Sequence, residues 1–261
     1  MLSGEFIPGI DLVDIFLWLF TLFFVGLVLY LQREGMREGF PTELDTSGKQ
    51  DTSSYFFPPQ PKTFKQPHGR DDVVIGFAPG DTRKPPLKRT AVWPGSPFEP
   101  AGDPLVDGVG PASYAERADY PDLTHEGAPR IAPYRVSPGY TVAEGDHDPR
   151  TLPVYGFDGK KAGEVTDLWV DRSESIIRYY EVAVDLADGG KKTVLLPVPF
   201  ANLVTHRKPR IEVHAMNAAD FAKAPTTKDA DSVTRLEEDK ICGFFGGGLL
   251  YSGKKRTEPL L

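Results

Sequence analysis

The chain has 261 residues, 40% hydrophobic and 26% charged, which excludes both global disorder and a multi-span membrane protein. A formal charge of −7 gives it no global electrostatic reason to seek nucleic acid. Its one cysteine, Cys242, excludes an internal disulfide, a Cys-based zinc site and an iron–sulfur site, and fits a bulk facing a reducing compartment.

After a short N-terminus, residues 1–11, the run from Ile15 to Leu31 carries no charge. With Leu12 and Val13 it reaches about 20 residues, enough as a helix to cross a hydrocarbon core of about 30 Å. The predicted span is 12–32, with Trp18 and Tyr30 towards its ends, where aromatic rings favour the interface. No Lys or Arg precedes the run and no small-x-small site follows it, so it reads as an uncleaved anchor rather than a signal peptide. Arg33 and Arg37 follow it; the positive-inside rule then puts the N-terminus outside and residues 33–261 in the cytoplasm.

Residues 33–138 form a Pro-rich segment, with 17 of the 25 prolines between Phe40 and Pro138. Proline fixes φ and removes a donor, so long helices are excluded there. Tyr55, Phe56, Phe57, Phe64, Phe77, Trp93, Phe98, Tyr114 and Tyr134 are interleaved. They predict an extended, irregular segment laid over something apolar, with the aromatics as anchors. Val73–Ile75 and Ala91–Trp93 are candidate short strands.

Residues 139–225 read as sheet. Gly163–Asp171 is a strand apolar on both sides, and Tyr180, Val182, Val184 and Leu186 alternate with polar or small residues at a period of two. Asp188-Gly189-Gly190 signals a turn, Thr193–Pro197 a return strand and Arg210–His214 another. Short strands with turns between them predict a small antiparallel barrel. In residues 226–261, Thr234-Arg235-Leu236-Glu237 is a capping box opening a helix, with Leu236, Ile241, Phe244 and Phe245 on one broad face. Gly246-Gly247-Gly248 weakens that helix and, lacking a following G-K-[ST], is read as a site of close packing against another helix rather than a phosphate loop. Cys242 is expected to be a buried small hydrophobe. The fold class is thus α+β and membrane-anchored: one N-terminal transmembrane helix, an irregular Pro-rich segment, a small β-barrel and a C-terminal helix.

No H-E-x-x-H, C-x-x-C, G-x-S-x-G or dinucleotide fingerprint occurs, and the five histidines are scattered. The residues alone point to one anchor, a cytoplasmic β-rich domain and an aromatic-rich irregular surface suited to a partner. On spacing alone, Glu174 and Arg178, four apart, are an ordinary surface ion pair.

Longer motifs carry a resemblance. Arg33-Glu34-Gly35-Met36-Arg37-Glu38-Gly39-Phe40-Pro41, Pro61-Lys62-Thr63-Phe64 with Pro67-His68-Gly69, and the run Gly102–Tyr114 resemble the H subunit of the purple-bacterial photosynthetic reaction centre. Thr166–Asp171 and Glu237-Glu238-Asp239-Lys240 match it too, in the family's order. The stretch from about Leu152 to Pro197 resembles the PRC-barrel domain that this family shares with soluble proteins.

The resemblance implies a non-catalytic subunit capping the L and M subunits on the cytoplasmic face of a bacterial inner (chromatophore) membrane. It would stabilise them, shield the quinones and assist proton transfer to the secondary quinone. Bacteriochlorophyll, bacteriopheophytin, quinones, non-haem iron and carotenoid would sit on partner subunits, and this chain would bind no cofactor or metal. Further implied partners are the antenna ring, a cytochrome subunit and an anionic lipid such as cardiolipin, held near Tyr30, Arg33 and Arg37. For proton transfer the resemblance singles out Glu174, Asp171 and Arg178. The family's Asp-x-His-x-His proton-entry cluster is replaced here by Thr124-His125-Glu126-Gly127-Ala128, leaving His125 and Glu126 as surface acceptors. The alternative is a free, membrane-tethered PRC-barrel adaptor unrelated to photosynthesis.

Overall fold

The computed structural model describes residues 5–7, 10–37, 42–44, 49–51, 59–75, 83–93, 95–187, 189–206 and 208–253. Of the readings above, Glu38–Pro41, the aromatics Tyr55, Phe56, Phe57 and Phe77, and Asp188 lie outside them. The chain divides into two compact units, one of residues 1–82 with 93–95 and one of 83–92 with 96–261.

The first unit is dominated by α1, Leu12–Gly35, with a mean hydropathy of 2.5 over its most apolar stretch and no buried side chain. Its length and composition suffice to cross a membrane. The helix runs three residues past the predicted end at 32, through Arg33 and Glu34. Asp14 accepts the backbone N–H of Asp11 at 3.3 Å, a negative group at the positive end of the helix. Thr21, the polar residue of the apolar stretch, returns its hydroxyl to the Leu17 carbonyl at 2.8 Å and so presents no free donor. Short antiparallel ladders follow, among them Lys62–Phe64 against Val73–Ile75, the latter a predicted strand.

The second unit begins with a hairpin of β1 (Leu87–Arg89) and β2 (Phe98–Pro100). The predicted strand at Ala91–Trp93 lies in the turn region between them, where Thr90 and Ser96 hydroxyls bond the Pro97 and Ala91 carbonyls at 3.0 and 2.9 Å. A short α2 (Pro104–Asp107) and a 3-10 turn, Gly110–Ala112, lead to the main sheet.

That sheet has seven strands: β3 (Ile131–Pro133), β4 (Pro153–Gly156), β5 (Lys161–Asp171), β6 (Ile176–Asp185), β7 (Lys191–Pro197), β8 (Ala201–Val204) and β9 (Arg210–Val213). The order is β7-β6-β5-β4-β9-β8, with β3 added on β5. β5 is buried on both faces along most of its length, as its apolar run requires. In β6, Tyr180, Val182 and Val184 point to the core while Glu181 and Ala183 are half-buried, the predicted period of two. The pairing departs from a purely antiparallel barrel, because β4 and β9 run parallel in the register Val154↔Ile211. Nor does β7 ladder with β8: Pro197, Val198 and Pro199 turn the chain between them, and each proline lacks the N–H that pairing needs.

α3, Arg235–Tyr251, closes the core. Thr234 and Glu237 form the reciprocal cap, with the Thr234 hydroxyl accepting the Glu237 N–H at 3.1 Å and Glu237 accepting the Thr234 N–H at 2.8 Å. Ile241, Phe244 and Phe245 are buried, Phe245 edge-on to Phe221 at 5.6 Å. The helix runs unbroken through Gly243, Gly246, Gly247 and Gly248, and all but Gly246 are close-packed. A Cβ on Gly247 would come within 2.8 Å of the Ala112 Cα, and one on Gly243 within 2.7 Å of the Ser113 carbonyl. Gly243 and Gly247 meet the 3-10 turn and the residue after it, and Gly248 meets Ala215 and Met216, rather than a second long helix. Cys242 points outward and is exposed, not buried as expected.

Candidate functional site: an acidic cluster at the end of the longest strand

Asp171 ends β5 and builds the turn that follows. Its Oδ1 accepts the N–H groups of Ser173 and Glu174 at 3.0 and 3.1 Å, and its carbonyl accepts the Ser175 N–H at 2.7 Å. Ser175 completes the reversal with φ +57°, a conformation short polar residues tolerate better than β-branched ones. Glu174 is therefore carried on a tight turn, and the helical spacing to Arg178 does not exist.

The partner of Glu174 comes from elsewhere in the chain. β3 pairs β5 in the register Ile131↔Asp171, which sets the preceding Arg130 beside the Asp171 carboxylate. Arg130 Nε donates to both Asp171 oxygens at 3.0 Å, and Nη2 donates to Glu174 Oε1 at 2.5 Å. Nη1 lies 3.6 Å from Asp122 Oδ2. One guanidinium thus faces Asp122, Asp171 and Glu174. Asp171 is 1% exposed. Burial alone would raise its pKa, but Arg130 and the two backbone donors outweigh that and hold it below the ordinary carboxylate value.

Arg178, exposed on β6, acts electrostatically on Glu238 instead. Glu238, in the first turn of α3, is half-buried and accepts the Tyr179 hydroxyl at 3.4 Å. Burial pushes its pKa up and Asp122 adds to the rise, while Arg178, Arg117 and the Tyr179 hydroxyl oppose it. Asp122 thus pairs with Arg130 and acts electrostatically on Glu238. Glu238 is the carboxylate here with a raised proton affinity.

His125 and Glu126 are exposed at the tip of the loop 122–130. The loop is closed by Arg130 N–H to the Asp122 carbonyl at 2.8 Å and by Thr124 N–H to the Ala128 carbonyl at 2.8 Å. The two acceptors therefore share a loop whose base holds Asp122 and Arg130. In the first unit, at the end of α1, Arg37 is engaged by Glu34 at 2.7 and 3.1 Å and by the Gln60 carbonyl at 2.6 Å. The buried Nε of Arg33 has no hydrogen-bond partner among the described residues. Tyr30 is exposed on the same helix.

Sequence reasoning missed Asp122, Arg130, Tyr179 and Glu238 as members of this cluster. Only the Asp171-x-x-Glu174 turn had a local signal, an aspartate that bonds backbone N–H groups two and three residues on.

Residues 4–136, just over half of the chain, match the family model for the photosynthetic reaction centre H-chain N-terminal region. The chain belongs to the reaction-centre H-chain family. Residues 142–219 match the PRC-barrel domain, the region that holds β4 to β9. The loop with Asp122 and Arg130 falls in the first match, Asp171, Glu174 and Arg178 fall in the second, and Glu238 lies beyond both. Membership implies association with the L and M subunits of a reaction centre, and with α1 it fits a membrane-anchored structural subunit. A free PRC-barrel adaptor leaves the match over residues 4–136 without an explanation.

Proposed function

We propose that this chain is the cytoplasmic lid of its reaction centre and that the cluster around Asp171 feeds protons towards the secondary quinone. Reduction of a quinone to quinol on the partner subunits consumes two protons with its two electrons, and a buried quinone needs a relay to the aqueous phase. The observation that supports this reading most is Glu238, a half-buried carboxylate with raised proton affinity that feels the charge of Asp122, while Arg130 bridges Asp122 and Glu174. A group whose pKa moves towards the working pH both takes up and releases a proton.

The residues then have different tasks. Asp171 stays ionised and fixes Arg130. Arg130 orients the exposed Glu174 carboxylate, whose oxygen it holds at 2.5 Å. Glu174 and Glu238 carry the proton. Arg178 tunes Glu238, and His125 and Glu126 collect protons at the loop tip. At the membrane, Arg33 with Tyr30 is the pair suited to an anionic headgroup such as cardiolipin's, since Glu34 already neutralises Arg37. The orientation with the N-terminus outside follows from the same basic residues.

Co-purification of pigment-bearing L and M subunits with the tagged chain tests the assembly. Flash-induced second-electron transfer in assembled complexes tests the relay: a Glu174→Gln variant slows it if the reading holds, and an unchanged rate discards it.

A further inference from the structure

The β1–β2 hairpin is paired only with itself among the described residues. Its register, Leu87↔Pro100, Lys88↔Glu99, Arg89↔Phe98, puts Leu87, Arg89, Phe98 and Pro100 on one face and Lys88 and Glu99 on the other. All six strand residues are exposed, and Val92, beyond β1, is wholly so. The Arg89 guanidinium lies over the Phe98 ring at 4.8 Å, which leaves a cation on the apolar face.

The root of the hairpin is fixed. Arg83 stacks on Tyr114 at 4.1 Å and donates to its carbonyl at 2.6 Å, while Lys240 of α3 sits over the same ring at 5.2 Å. A two-stranded ribbon with no buried face is marginal in water, so its apolar side calls for a cover. Residues 83–92 carry Arg83, Lys84, Lys88 and Arg89 within a chain of net charge −7; Arg83 is paired with Glu116 at 3.6 Å and Lys88 faces Glu99 across the ladder, so Lys84 and Arg89 are the cations the apolar face can use.

We propose that this hairpin lays its Leu87–Phe98 face onto an anionic lipid surface, with Arg89 on that face and Lys84 just before β1 beside it. The inference goes beyond the proton relay and rests on α1 being an anchor. Two large apolar side chains among cations make a poor specific protein interface, which needs a contiguous apolar centre. They suit the headgroup zone, where aromatic and aliphatic groups enter shallowly and long basic side chains reach the phosphates. Each basic residue near such a surface strengthens attachment about fivefold. The anchor in the same chain keeps the hairpin at high local concentration of lipid.

The test uses the full-length chain in its assembled complex, placed in vesicles of phosphatidylcholine alone or with added phosphatidylglycerol. A nitroxide at Leu87→Cys in a Cys242→Ser background reports collisions with apolar oxygen and with a water-soluble nickel chelate. The proposal predicts shielding from nickel only when phosphatidylglycerol is present, and an occupancy about 25-fold weaker in K84Q/R89Q. Equal nickel access in both vesicles overturns it. Shielding that is the same in neutral lipid also overturns it and identifies a protein partner as the cover. A separate label at Phe24→Cys follows the anchor. Water access there overturns both the anchor and the hairpin reading, whereas a buried Phe24 label with a water-exposed Leu87 label overturns the hairpin reading alone.

Discussion

Two arginine-centred clusters lie on the same sheet and teach different things. Around Arg135, the guanidinium donates to Glu181 at 2.8 Å, Asp167 at 3.1 Å and Asp231 at 3.1 Å. Glu181 also accepts the Trp169 indole N–H and the Thr166 hydroxyl, each at 2.9 Å. Burial would raise the Glu181 pKa, yet these donors bring it below the ordinary value. Every acid there has a donor, so the cluster is a fixed ionic clamp on the 229–231 segment. Around Arg130 the donors are spent on Asp171 and Glu174, and Glu238 keeps one weak hydroxyl contact and a neighbouring carboxylate. The difference is one of donor supply: three donors hold the Glu181 carboxylate below its ordinary value, and Glu238, with the Tyr179 hydroxyl alone, is raised above its own.

The largest expected effect breaks the clamp. Arg135→Ala strands the nearly buried Asp167 and Glu181 and should cost about 3 kcal/mol in denaturant unfolding, while changing the second-electron rate less than twofold. Gly247→Ala, which drives a methyl into Ala112, should cost about 2 kcal/mol by the same measurement. On the other side of the comparison, Glu174→Gln should slow the second-electron step about tenfold, or about 1.4 kcal/mol, with little change in unfolding. Glu238 gives a subtler signature. Its pKa is raised above the ordinary 4.5, so the folded state binds more protons and this residue lowers stability as pH rises above that value. Glu238→Gln should therefore unfold at higher denaturant than the wild type at pH 8 and show no gain at pH 4. The smallest expected effect is that of zinc. With Glu126 and Ala128 in place of paired histidines, micromolar zinc should leave the rate unchanged.

Much of the fold was legible because it is written locally. The uncharged run gives α1, the period of two gives β6, and the Thr234–Glu237 box gives the start of α3. What was not legible depends on distant residues. Arg130 and Asp171 are brought together by the β3–β5 register, across 41 positions. The Glu174–Arg178 spacing suggested an ion pair because a count of four ignores the turn that Asp171 builds. The glycines of α3 suggested a weakened helix because the sequence does not show Ala112 beneath them. The parallel β4–β9 pair likewise depends on a contact between strands far apart in the chain.

Proton arrival at Glu238 and Glu174 is read directly by flash-induced infrared difference spectroscopy of assembled complexes. A carboxylic C=O band that forms with quinone reduction, shifts in deuterated water and is missing from Glu238→Gln is the predicted result. The same band, undiminished in Glu238→Gln and in Glu174→Gln, would contradict it.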